Sequence, residues 1–174
     1  DFFKFYVIRD DAVNAFTHLG GHIYFTDTIL NAYRKSDAGL LFVLAHEMAH
    51  NVLKHVERNT TKQIRAYQVG QDVGALMASM YSEFVAIGFS SDQELKSDEW
   101  AYRVIVGNLG YSRREALEGL YILAAATGQN IKPDGLAPGR EKTIGEAITR
   151  EIGHHFSSHP DMGDRIERLK ELTL

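Results

Sequence analysis

His46-Glu47-Met48-Ala49-His50 lies inside an apolar run from Gly39 to Leu53 and holds the side chains most able to do chemistry. If that run is an α-helix, the two histidines sit one turn apart on a single face. Two imidazoles can then reach one metal ion, with Glu47 beside it. Neutral imidazole is a good zinc ligand, and a hydrolytic zinc site typically has three protein ligands and leaves the fourth position to a water whose pKa falls to about 7. Glu47 is the candidate general base, taking a proton from that water and passing it to a leaving amine. It is the only acidic residue between Asp37 and Glu57, in a helix that otherwise reads as largely buried. The pattern describes a metal-dependent peptidase. The plainer alternative is a pair of ordinary surface or core histidines.

Two histidines do not complete such a site, so a third ligand must come from elsewhere. His55 follows His46 by nine residues, which at about 100° per residue puts it on roughly the opposite side of a continuous helix, as a polar-face residue. The metzincin pattern would need histidine and glycine where Val56 and Leu53 stand. The segment Ser91–Asp98 offers a carboxylate instead. Glu94 and Asp98 are four apart, so Glu94 can complete the metal shell while Asp98 accepts the outer N–H of a ligand histidine and fixes its tautomer. Ser91 with Glu94 also has the form of a capping box, in which the glutamate would serve only to start its own helix.

Taken together, these segments resemble those of the gluzincin metallopeptidases, the group containing HtpX, the CAAX prenyl endopeptidases and soluble periplasmic proteases. Four motifs carry the resemblance, in the family's order, between residues 5 and 172. They are Asn14-Ala15-Phe16 followed by Gly20-Gly21-His22-Ile23-Tyr24-Phe25, then His46 to His50, then Glu94-Leu95-Lys96-Ser97-Asp98, and finally Ser158-His159-Pro160 with Arg165 downstream. Ser97 stands where alanine is usual, and Glu99 where an arginine commonly follows the aspartate.

The resemblance implies a Zn2+ cofactor and places His159 near it. His159 would either stabilise the tetrahedral oxyanion, lowering the barrier, or act as a fourth ligand that displaces the catalytic water and holds the site latent. His154 and His155 are close enough in sequence to compete for that position. The resemblance also implies that Gly21 to Thr26, with Gly21, His22, Ile23 and Tyr24, is an exposed edge strand beside which an extended polypeptide adds as a further strand. A periplasmic or other cell-envelope location is a further implication.

The elements that must position these residues follow from periodicity and breakers. Phe2–Ile8 and Gly21–Thr26 read as strands, and Ser36 or Asp37 caps a long helix running to about Arg58. Thr60–Tyr81 has helical alternation weakened by Gly70 and Gly74. A helix from Glu94 to Val106 is stopped by Gly107 to Gly110. Ser112 with Glu115 opens another helix that Gly128 ends. Residues 129–142 read as a loop, Thr143–Ile152 as a helix and Asp161–Leu172 as the last helix.

The expected fold is a mostly helical α+β metalloprotease domain with a short β-sheet bordering the active-site cleft. Its 174 residues suit one domain, 1–174. Composition sets the remaining bounds: 44% apolar and 24% charged residues are ordinary globular usage. A formal charge of −4 with mixed signs gives no basic footprint and argues against nucleic acid. No apolar run reads as a membrane span. The absence of cysteine removes disulfides and zinc–thiolate sites. The start at Asp1 suggests a trimmed product that has lost a signal or anchor.

The function that follows is zinc-dependent cleavage of peptide bonds in unfolded or extended polypeptides, in cell-envelope protein quality control. The alternative is a chaperone-like or binding module whose four-ligand zinc site is closed by His159.

Overall fold

The computed structural model describes residues 2–70, 88–129, 131 and 162–173. Three short strands come first: β1 (Lys4–Ile8), β2 (Ala15–His18) and β3 (His22–Thr26). Helices follow: α1 (Asp27–Ala32), α2 (Asp37–Val52), α3 (His55–Gly70), α4 (Ser91–Arg103), α5 (Arg113–Ala126) and α6 (Met162–Glu171). The result is a mostly helical α+β architecture, as expected. The loop expected over residues 129–142 and the helix expected over Thr143–Ile152 fall almost wholly outside the described residues, as does the second half of the Thr60–Tyr81 helix.

The sheet has the order β1-β3-β2, with β1 parallel and β2 antiparallel to β3. Gly20 and Gly21, both at positive φ, make the tight connection from β2 to β3. Gly21 packs so closely on the Phe2 carbonyl that a Cβ could not be accommodated there. One face of the sheet sends Ala15, Thr17, Ile23 and Phe25 inward. The other carries a row of stacked rings, with Phe16 and Tyr6 on either side of Tyr24 at 5.0 and 4.8 Å.

This topology corrects the expectation that Gly21–Thr26 forms an open edge. β3 is the central strand, paired on both sides, and Ile23 is completely buried. The edges are β1 and β2. Strand β2 is not visible in the sequence because four residues, one of them histidine, give too little alternation to register.

Helix α2 is the hub of the fold, packing against α4, α5, β2 and α3. Ser36 caps it by accepting from Gly39 N at 3.2 Å and donates to Glu118 of α5 at 3.0 Å. The α2–α5 crossing is close because glycines meet there. A Cβ on Gly119 would stand 3.1 Å from Phe42 Cβ and 3.2 Å from the Gly39 Cα. Tyr33 braces the same crossing, donating its hydroxyl to the Gly119 carbonyl at 2.6 Å.

The long helix expected to reach Arg58 ends at Val52 instead. Lys54 takes φ +60, and a new helix starts at His55. A left-handed non-glycine residue costs roughly 1–2 kcal/mol, and the turn is offset by burial of His55 and Val56 at 2% and 1% exposure. Helix periodicity alone does not reveal such a break, because Lys54 carries no turn signal of its own.

The cap of α4 also differs. Ser90 accepts from Gln93 N, and the Gln93 side chain returns to Ser90 N at 2.9 Å, so the box is one residue earlier than Ser91/Glu94 and Glu94 is released from capping. The box of Ser112 with Glu115 forms as expected, and Gly128, at φ +77, follows the end of α5. Past Arg103 the chain makes a π-helical turn, Val104–Asn108.

The Gly39–Gly119 crossing yields a stability test. Gly119→Val places branched methyls against backbone that cannot move away, and overpacking of this kind costs about 1–3 kcal/mol. Urea denaturation is expected to show that loss, with a melting temperature lowered by several degrees. An unchanged midpoint would mean that the helices have room to separate.

Candidate metal centre

Three helices deliver the polar interior. From α2, His46, Glu47 and His50 are 4%, 5% and 0% exposed; from α4, Glu94, Ser97 and Asp98 are each 0% exposed; from α6, Arg165 is 2% exposed. Groups this polar stay inside a protein only when paired or ligated. Turn spacing explains the placement, since the pairs 46/50 and 94/98 each project from one face of their own helix.

His46 Nε2 lies 3.0 Å from His50 Nε2 and 3.4 Å from Glu94 Oε2, and His50 Nε2 lies 3.6 Å from Glu94 Oε1. One ligand atom from each of the three residues falls within 4.8 Å of the others. Four-coordinate zinc with bonds of about 2.0–2.2 Å sets its donors roughly 3.3–3.6 Å apart, so the donor set is close to what such an ion needs in both type and spacing.

The outer ring of contacts is equally defined. His46 Nδ1 donates to Asp98 Oδ1 at 2.8 Å, which leaves Nε2 as the ligand atom. Arg165 holds Asp98 from the other side as a bidentate fork, Nε to Oδ2 at 2.6 Å and Nη2 to Oδ1 at 2.7 Å, and its Nη1 reaches within 3.6 Å of Glu94 Oε2. Arg113 fastens α6 in place by donating to Tyr102 of α4 and to the Lys170 carbonyl at 2.7 and 3.0 Å. Phe89 covers one face of the His50 ring at 3.6 Å. Asn51 donates to Thr17 of β2, linking the helix of the histidines to an edge of the sheet.

Burial governs the protonation states. It lowers the affinity of His46 for a proton, but the hydrogen bonds and charges of Asp98 and Glu94 outweigh that and raise its pKa to about 10. Burial raises Glu47 to about 8, partly offset by the nearby His46 charge. The apolar wall responsible includes Phe42, Val43, Leu120 and Leu123, around a hollow of about 20 Å³ that also touches Arg165. Burial opposes ionisation of Asp98 too, yet Arg165 holds that carboxyl below the usual carboxylate range. Burial and the cations Arg58 and Lys96 hold His55 below its ordinary value, which disfavours the protonated ring.

The structure therefore brings together His46, Glu47, His50, Glu94 and Asp98. His159, His154 and His155 lie outside the described residues. His55 departs from its expected polar face. The turn at Lys54 folds it back, placing its Nδ1 3.3 Å from His50 Nδ1 and 3.3 Å from Ser97 Oγ. In the sequence Arg165 is marked only as part of a motif. One of two arginines in a charged final helix gives no sign that it will be buried, and its partner Asp98 is 67 residues away.

In class, two histidines and a glutamate are a donor set that zinc metallopeptidases use. The chain is a member of peptidase family M48, whose profile matches residues 1–173. This agrees with the resemblance drawn from the four motifs. It is 32% identical over 176 residues to the mitochondrial metalloendopeptidase OMA1 of Arabidopsis thaliana, covering 97% of this chain and 31% of that protein. A putative β-barrel assembly-enhancing protease of Vibrio cholerae is 35% identical over 63 residues, and the β-barrel assembly-enhancing protease of Yersinia pestis 33% over 63 residues. Each of these two alignments covers 36% of this chain and 13% of the relative. The chain thus spans a third or less of the length of these relatives.

The raised values of His46 and Glu47 fix the sign of a pH effect on the metal-free protein. A pKa raised by folding contributes stability that is present below the unfolded value and lost as pH climbs through the folded one. For His46 that window runs from 6.5 to about 10, and for Glu47 from 4.5 to about 8. The melting temperature in chelator, followed by circular dichroism, is expected to fall between pH 6.5 and 10. A flat or rising profile would contradict these protonation states.

Proposed function

We propose that this chain is a zinc-dependent endopeptidase unit, one catalytic domain over residues 1–174, that cleaves extended or unfolded polypeptide. The observation that carries the reading is the convergence of His46, His50 and Glu94 at donor spacings suited to a small divalent cation. In this reading those three residues are the metal ligands, and Asp98 holds His46 in the tautomer that can bind. The bound cation supplies Lewis acidity, making a water acidic enough to lose a proton near neutral pH and polarising a carbonyl.

The protein's own groups supply the rest. Glu47, next in sequence to one ligand and walled by apolar side chains, has a proton affinity matched to exchange near neutral pH. It takes the proton of the attacking water and returns it to the amine that leaves. Arg165 neutralises Asp98 so that this carboxylate can persist beside Glu94 without forcing either to protonate. Substrate presentation passes to β2, the edge strand next to α2 and tied to it by Asn51 and Thr17. An extended peptide added there would run close to the ligand histidines.

For location, we propose the cell envelope, on the names of the two bacterial relatives. No helix among the described residues is long and apolar enough to cross a membrane.

Glu47→Gln separates binding from chemistry. The variant is expected to keep about one zinc per chain by elemental analysis and to lose 100-fold or more of the rate on an unfolded substrate such as casein, the range expected for removing a general base. Cleavage at the parent rate would remove Glu47 from its assigned role. A parent without zinc would remove the metal.

A further inference from the structure

A histidine that binds a metal through Nε2 carries its ring proton on Nδ1, and that N–H needs an acceptor that fixes the angle of the ring. For His46 the acceptor is Asp98. At His50 the corresponding nitrogen faces another imidazole, His55 Nδ1, at 3.3 Å. The two rings are inclined by 71° with centroids 5.2 Å apart, an edge contact in which nitrogen meets nitrogen rather than face meeting face.

His55 is itself held. It is 2% exposed, it stands in the first turn of α3, and Ser97 Oγ approaches the same nitrogen from α4 at 3.3 Å. Phe89 lies across the face of His50 at 3.6 Å, so the ring is confined on its face and at its far edge. The left-handed residue Lys54 is what turns His55 toward His50.

We propose that His55 is a positioning residue of the metal centre: its Nδ1 accepts the Nδ1–H of His50, fixing the tautomer and orientation of that ligand. This rests on the metal-centre reading given under Proposed function. The proton bookkeeping is closed, since His55 keeps its own proton on Nε2 and the Ser97 hydroxyl shares the Nδ1 lone pair. The opposite assignment, with His55 protonated on Nδ1 and donating to Ser97, would set two N–H groups against each other across the gap to His50.

The test is zinc affinity, measured by competition with a chromophoric chelator on the parent, His55→Phe and His55→Asn. Phenylalanine keeps a ring but has no acceptor, whereas the asparagine carboxamide oxygen can stand close to the position of Nδ1. Loss of such a supporting group typically weakens metal binding 10–100-fold. That loss is expected for His55→Phe, with His55→Asn within about threefold of the parent.

If His55 only filled space, the order would reverse, with Phe tolerated and Asn impaired; that result overturns the proposal. A second measurement avoids the variants altogether. Nitrogen-15 NMR of the zinc-loaded parent is expected to show His50 protonated on Nδ1 and His55 on Nε2, and His55 protonated on Nδ1 would also overturn it. A parent that binds no zinc sinks the metal-centre reading and this inference together, while a parent that binds zinc no better than His55→Phe sinks the inference alone.

Discussion

The carboxylate of Asp98, fully buried between the Arg165 guanidinium and the His46 imidazole, is the interaction around which the rest is arranged. An isolated buried carboxylate would protonate or unfold the site, and breaking a buried charge pair typically costs about 3–5 kcal/mol because the remaining charge is stranded. Here the fork from α6 and the ring from α2 close on one group of α4, so three helices are joined at a single point. Glu94 can then remain close by without Asp98 acting on it as an unscreened like charge.

Charge balance follows from the same cluster. The carboxylates around His46 raise its pKa to about 10 against the effect of burial, and burial raises that of Glu47 to about 8, so near neutral pH the metal-free cluster favours a charged His46 and a neutral Glu47. A divalent ion at the donors would displace the proton of His46 and favour ionisation of Glu47. The ion would therefore exchange one proton for another charge within the same cluster, and the apolar wall around Glu47 is what makes its ionisation sensitive to that exchange.

Local signals in the chain reveal α2, with its serine cap and its pair of turn-spaced histidines, because every determinant lies within one apolar run. The Ser112 cap and Gly128 terminus of α5 are legible for the same reason. Less visible is whatever depends on partners distant in sequence. Strand β3 becomes central only because β1 and β2 pair on either side of it, and Arg165 is buried only because Asp98 awaits it. His55 is the most instructive miss. In a continuous helix His55 would face away from His46, and one backbone angle at Lys54 turns it inward instead.

That bend also ties the start of α3 to the metal centre. Its first residue rests on His50, its described length is 16 residues, or roughly 24 Å at 1.5 Å per residue, and its main contact among the described elements is with α2. Only Leu53 and Lys54 separate the two helices, so the placement of the His50 and His55 rings against each other is set by a two-residue connection.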